Sequence, residues 1–406
     1  MALMKVENLL PGMVLADDVR DLNSRLLFAK GLKIEAQHLR VMKTWGIFDV
    51  EVEAADDTPA RAASVEKEMT AACSKELSAR FKLLDITHPA LQEILKLGIH
   101  HRLKNTGSSA PQTHSPVETR PTPGIPKDIL AGLDRIEIKL PEVPSLVFEL
   151  NEIIADPLSS SGHIAQVVNR SPSLTAMLLK IVNSAFYGFR SKIDSITRAV
   201  TMIGSKEVSN LALGITIMET FKDIPAQTLD VPTFMEHSLA VGIAARLLAA
   251  QCNVAQSEQL FISGMLHDIG RLVLCKHFPA AAKGAFAEAA HGGRPLLKTE
   301  LSLLGCSHMQ LAKKLLNKWK LPYNLENNIY YHHAPSGSPQ PELAAVIQVA
   351  DIVVHALGIG NSGESVLPAF DAQAWDRLRI SPAIFRTVTQ QTVHQMEAFR
   401  VMLGKG

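Results

Sequence analysis

Apolar residues follow two different rhythms along this chain. Between Val6 and Glu53 they come in short runs separated by turn formers: Met13-Val14-Leu15 after a Pro11-Gly12 turn, then Arg25 to Ala29 closed by Gly31. A helical stretch leads on to Trp45, where Gly46 stops it, and Phe48, Val50 and Val52 then alternate with acidic residues as a half-buried strand does. From Lys127 onward the helical spacing of apolar positions dominates and no convincing strand is visible. The pattern predicts a mainly α protein, with an all-helical major domain and a small N-terminal α+β domain.

Breaks in the pattern divide the chain. Residues 1–56 are the α+β domain, and 57–104 are helix-forming and moderately basic, a helical connector interrupted at His88-Pro89. Residues 105–126 are rich in Pro, Ser, Thr and Gly, too poor in apolar surface to fold, and read as a flexible linker. The helical domain spans 127–360, in halves 127–225 and 226–360, and 361–406 form a C-terminal helical extension whose last helix opens at Ser381-Pro382. Within the first half, Ser171-Pro172 is an N-terminal cap, and another helix starts near Ser195.

Composition narrows the classes of function. Of 406 residues 47% are hydrophobic and 20% charged, ordinary for a globular chain, and the formal net charge of +1 carries no signal for nucleic acid. Cys73, Cys252, Cys275 and Cys306 form no CxxC and follow no secretory signal, so free thiols and a cytoplasmic location are expected. Apolar stretches such as Val241 to Ala250 fall short of the roughly 20 residues a spanning helix needs, so no membrane insertion is expected.

The chemistry gathers behind residue 230. Gly264-Met-Leu-His-Asp-Ile-Gly270 puts His267 and Asp268 inside an apolar helical run, predicted over 257–275, where both side chains need a partner. Gly264 shares their helix face and lets another helix approach. His237 continues a face with Ala240, Val241, Ala244 and Leu248, and His308 follows Ser307 in a capping-box signature completed by Gln310. Pro322 should open a helix that delivers His332-His333 before Pro335 and Gly337 stop it. Asp351 lies in the apolar stripe of Ala344, Ile347 and Val354; a salt bridge would serve it, yet no basic residue occurs between Pro341 and Val354. Imidazole and carboxylate without thiolate suit a divalent or transition metal, with Fe, Mn, Zn and Ni equally compatible.

Two stretches resemble known families. Leu9-Leu-Pro-Gly-Met-Val-Leu-Ala-Asp-Asp-Val19, with Leu26-Leu27, Gly31 and Trp45-Gly46-Ile47, resembles the N-terminal domain that often precedes HD-GYP signalling phosphodiesterases. Leu140-Pro-Glu-Val-Pro144, the run Asn169 to Gly188 ending in Asn183-Ser-Ala-Phe-Tyr-Gly188, and Ser195 to Gly204 resemble the first half of an HDOD domain, a likeness that extends to Gly358. Ser171 stands where that family usually has Asp, and either residue caps a helix.

The resemblance implies that His237, the His267-Asp268 pair and Asp351 are the basic ligand set of the HD superfamily, and that His308, His332 and His333 match the histidines that hold a second metal in HD-GYP proteins. Thr233 stands where those enzymes carry Glu, and Ala334-Pro-Ser-Gly-Ser-Pro339 lacks their Gly-Tyr-Pro. It therefore implies a bacterial, cytoplasmic signal-transduction regulator, metal-bound and acting through other signalling proteins. The other reading is a metal-dependent phosphohydrolase or phosphodiesterase, with a nucleotide or cyclic dinucleotide as ligand and Arg271 or Lys276 neutralising phosphate.

Overall fold

The computed structural model describes residues 2–6, 9, 12–20, 26–35, 37–39, 42 and 49–52, then 71–105, 129, 145–155, 160–183, 187–189, 191–252 and 257–402. The chain forms two compact units, Met1–Met69 and Thr70–Gly406. The expected linker and the Leu140–Pro144 segment lie outside the described residues.

In the first unit, β1 (Ala2–Lys5) pairs antiparallel with β4 (Asp49–Val52), in a register from Ala2↔Val52 to Lys5↔Asp49. A second ribbon joins β2 (Val19–Arg20) to β3 (Leu26–Phe28). The alternation predicted near Val50 is present: Val50 and Val52 are buried while Glu51 is exposed. They close a small core with Val6, Leu9, Leu15, Val19, Ile34 and Met42. Met13-Val14-Leu15 runs alongside residues 32–34, with Ile34 N donating to Met13 O at 2.7 Å and Leu15 N to Leu32 O at 3.0 Å, and makes isolated bridges, Val14 to Lys33 and Leu15 to Val52.

The second unit is helical, with one continuous apolar core running from Leu77 to Met396. Residues 71–80 and α1 (Pro89–Asn105), expected as a connector, belong to this unit, as does the C-terminal extension. The first half contains α2 (Ser145–Ala155), α3 (Ser161–Asn169), α4 (Pro172–Val182), α5 (Ile196–Ile203) and α6 (Ser205–Glu219). Ser171 caps as expected, accepting from Leu174 N–H, and Ser195 caps the helix expected to start near it, accepting from Arg198 N–H. Asn183 closes the turn after α4: its amide donates to Leu179 O at 2.8 Å and Ile193 O at 2.7 Å, and its Oδ1 accepts from Ile193 N.

The second half runs α7 (Val231–Gln251), α8 (Ser257–Leu266), α9 (Ile269–His277), α10 (Pro279–Gly292), α11 (Leu296–Leu304), α12 (His308–Lys318), α13 (Tyr323–Tyr330) and α14 (Pro341–Leu357). Then α15 (Ala372–Asp376) and α16 (Ile384–Met402) follow, with α16 packed on α7 and α1. Helix α7 packs closely on α8, where a Cβ at Gly264 would fall 2.9 Å from Gly242 Cα. That contact brings His237 of α7 beside His267.

Candidate metal centre

His267 and Asp268 lie between two helices, not within the single helix expected over 257–275. The reason is local: His267 Nδ1 bonds Gly264 O at 2.8 Å, the carbonyl a continuing helix would offer to the amide of Asp268. The same device ends α13, where His332 Nδ1 bonds Ile329 O at 2.6 Å, so His332 and His333 sit in the following turn. Breaking the ladder aims each imidazole inward.

The other ligand candidates stay on regular helices. His237 shares a buried face of α7 with Ala240, Val241, Ala244 and Leu248. Ser307 forms the full capping box with Gln310 and sets His308 as the first residue of α12. Gly270 lets that end come in, since a Cβ there would lie 1.8 Å from His308 O. Asp351 is buried in the middle of α14.

All the predicted ligands converge. His237 Nε2 lies 3.1 Å from Asp351 Oδ1, and His267 Nε2 lies 3.3 Å from Asp268 Oδ2 and 3.7 Å from Asp351 Oδ1. On the other side of Asp268, its Oδ1 is 3.3 Å from His308 Nε2 and 3.8 Å from His332 Nε2. Two groups with metal-holding geometry therefore share Asp268: one with His237 and His267, the other with His308, His332 and His333. A third group joins His237 and Asp351 to His355, a residue that the sequence reading missed. His355 follows Asp351 by one helical turn and so shares its face, a signal available from spacing alone.

These facing atoms have no hydrogen-bond partner. The Nε2 atoms of His237, His267, His308, His332 and His333 are buried and unpaired, as are Asp268 Oδ1 and Asp351 Oδ1. Buried polar atoms are normally satisfied, so a ring of lone pairs turned on one another is a donor set for a cation. The residues fit a metal ion.

A second layer supports the first. Nδ1–H of His308 donates to Glu300 Oε2 at 2.7 Å, as His267 and His332 donate to backbone carbonyls, leaving each Nε2 lone pair directed inward. Burial, followed by the nearby His267 and His308 rings, lowers the His332 pKa to about 3, and burial also takes His333 well below the ordinary value. Burial would raise Asp268, but the Arg271 guanidinium holds its carboxyl well below the usual range.

That guanidinium corrects one expectation. Arg271 is 1% exposed, with Nη1 2.7 Å from Asp268 Oδ2 and 3.0 Å from Ser362 Oγ, and Nη2 2.8 Å from Glu364 Oε2. It holds a candidate ligand carboxylate and is buried away from the surface where a phosphate would arrive. Lys276 also points elsewhere, donating to Thr220 O at 2.6 Å and lying over the Phe221 ring.

Comparison with known proteins agrees with this architecture. The HDOD domain model matches residues 140–335. Residues 140–335 form an HDOD domain. An uncharacterised protein of Treponema pallidum (strain Nichols) is 26% identical over 257 residues, 61% of this chain, which spans about half, 48%, of that relative. Two solved structures share the fold. One, from Shewanella amazonensis and provisionally named a metal-dependent phosphohydrolase, has a TM-score of 0.50 at 19% identity, covering 67% of this chain and 96% of its own. The other, from Marinobacter aquaeolei and provisionally named a signal transduction protein, has a TM-score of 0.51 at 17% identity, covering 100% and 96%. The HDOD match contains His237, His267, Asp268, His308, His332 and His333, while Asp351 and His355 lie beyond its end.

Proposed function

We propose that this HDOD protein is a signal-transduction regulator built on a buried metal centre, and that it acts by presenting a surface to other signalling proteins. The observation that carries the metal reading is the set of unpaired, inward-facing Nε2 and Oδ1 atoms around Asp268. His237, His267, Asp268 and Asp351 would hold one ion; His308, His332, His333 and the shared Asp268 would hold a second. Bound there, Fe, Mn, Zn or Ni would act as a Lewis acid and join helices α7, α8, α12 and α14.

Enclosure favours regulation over turnover. His237, His267, His308 and His332 are 0% exposed, Asp268 2% and Asp351 6%. Thr233, at the position where HD-GYP enzymes carry a ligand Glu, turns its hydroxyl to Asp230 O at 3.0 Å, and Gly-Tyr-Pro does not follow His333. The second reading, a metal-dependent phosphohydrolase or phosphodiesterase, is supported by the complete ligand set and the carboxylate shared between two groups.

Elemental analysis of the full chain purified without chelator tests the metal. Stoichiometric transition metal in wild type and none in Asp268→Ala is expected; a metal-free wild type that also takes up none on reconstitution overturns the proposal. A panel of cyclic dinucleotides and phosphodiesters assayed with Mn, Fe and Mg separates the two readings. Hydrolysis that disappears in Asp268→Ala would make the protein an enzyme.

A further inference from the structure

His355 lies among the ligands, yet its other nitrogen is engaged differently from theirs. His267, His308 and His332 each turn Nδ1–H outward to an oxygen, which leaves a lone pair on Nε2. His355 Nδ1 instead faces Arg80 Nη1 at 3.2 Å. A guanidinium has only donors, so Nδ1 is the acceptor, and the proton of a neutral ring must reside on Nε2. That Nε2–H donates to Ser362 Oγ at 3.4 Å and lies 3.3 Å from Asp351 Oδ1, a charge contact without a hydrogen bond.

We propose that His355 stands outside the coordination sphere as a positioning residue, its proton held on Nε2 by Arg80, and that it orients Asp351 toward His237 and His267. A nitrogen carrying a proton has no lone pair to give, so His355 could enter the sphere only as an imidazolate or by losing Arg80. The surroundings favour neither. Arg80 is held in the unit through its own carbonyl, which accepts from Leu367 N at 3.0 Å. Arg102 fixes the end of the same helix, donating to His355 O and to Ala356 O at 2.9 Å each. Two arginines from residues 71–105 thus grip the ring and the backbone of His355, and this segment reaches the metal centre through it. Ser362 Oγ accepts from Arg271 as well, which ties the Asp351 and Asp268 ends of the site together.

The role in metal binding rests on the reading above, while the tautomer does not, so the two are tested apart. In the full-length chain labelled with 15N-histidine and stripped of metal, His355→Gln identifies the His355 resonances. The expected result is a protonated Nε2 and a bare Nδ1 in wild type, moving toward the other tautomer in Arg80→Met. A wild-type proton on Nδ1 overturns the proposal. In the metal arm, His355→Gln keeps a side-chain N–H near the Nε2 position and should retain wild-type metal stoichiometry, while His355→Leu should bind about 10–100-fold more weakly. Loss of one metal equivalent in His355→Gln, as from removal of a ligand, also overturns it. A wild type that binds no metal sinks the regulator's metal centre and leaves the tautomer to the resonance measurement.

Discussion

Arg271 Nη1 lies 2.7 Å from Asp268 Oδ2, and this contact turns the other oxygen, Oδ1, toward His308 and His332. One fully buried cation thereby sets the orientation of the carboxylate that both ligand groups share. Replacing Arg271 with Met leaves Asp268 and Glu364 buried without their counter-charge. Such losses cost about 3–5 kcal/mol, and loss of an outer partner weakens a metal by about 10–100-fold. Chemical denaturation and metal titration of the variant should show both effects together. A stable Arg271→Met with unaltered metal affinity would mean the clamp has no role.

Gly270→Ala should damage the second ligand group in particular. The new Cβ would meet His308 O at 1.8 Å, a backbone atom that cannot rotate away, so α9 and α12 must separate. Overpacking of this kind costs about 1–3 kcal/mol or more. Gly162→Ala is the control, since its Cβ meets nothing nearer than Ser160 Oγ at 3.8 Å. Thermal melts of the two variants should diverge, with only Gly270→Ala losing metal.

Ligand substitutions should separate the two groups. His308→Ala removes a donor from the group formed with His332 and His333, and His237→Ala removes one from the group formed with His267. Each should lower metal content by part of the wild-type value, whereas Asp268→Ala should empty both. Equal and complete loss in all three would argue for a single ion.

Acid should weaken the metal-free fold through His332. Its folded pKa of about 3 lies below the ordinary histidine value of 6.5, so the unfolded chain takes up protons first and stability falls as pH drops from 6.5 toward 3. At pH 5 this amounts to about 2 kcal/mol. His267 works in the opposite sense: burial would lower its pKa, but Asp268 and Asp351 raise it. Comparing urea denaturation at pH 7 and pH 5 isolates His332, because His332→Asn should lose less stability than wild type over that interval. An equal loss in both would place the acid sensitivity elsewhere.

Much of the second unit was legible because helices announce themselves locally. The caps at Ser171 and Ser307, the helix start near Ser195 and the buried stripe around Asp351 each follow from a few neighbouring residues, and all are present. The break at His267-Asp268 was hidden, since it depends on a side chain competing with a backbone amide for Gly264 O. Met13-Val14-Leu15 finds its neighbour at Leu32 and Ile34, a pairing that the local pattern does not reveal.

From sequence alone came the helical class, the candidate ligand residues and the inward helix faces of His237 and Asp351, because periodicity and capping are properties of adjacent residues. Tertiary structure decided that Asp268 is shared, that Arg271 serves a carboxylate in place of a phosphate, and that Arg80 sets the proton of His355. Asp268 meets His308 and His332, Arg80 meets His355 and Arg271 meets Glu364 across many residues of chain, even though Arg271 lies only three residues from Asp268. Such geometry exists only once the helices have packed, because packing decides which group lies opposite each nitrogen.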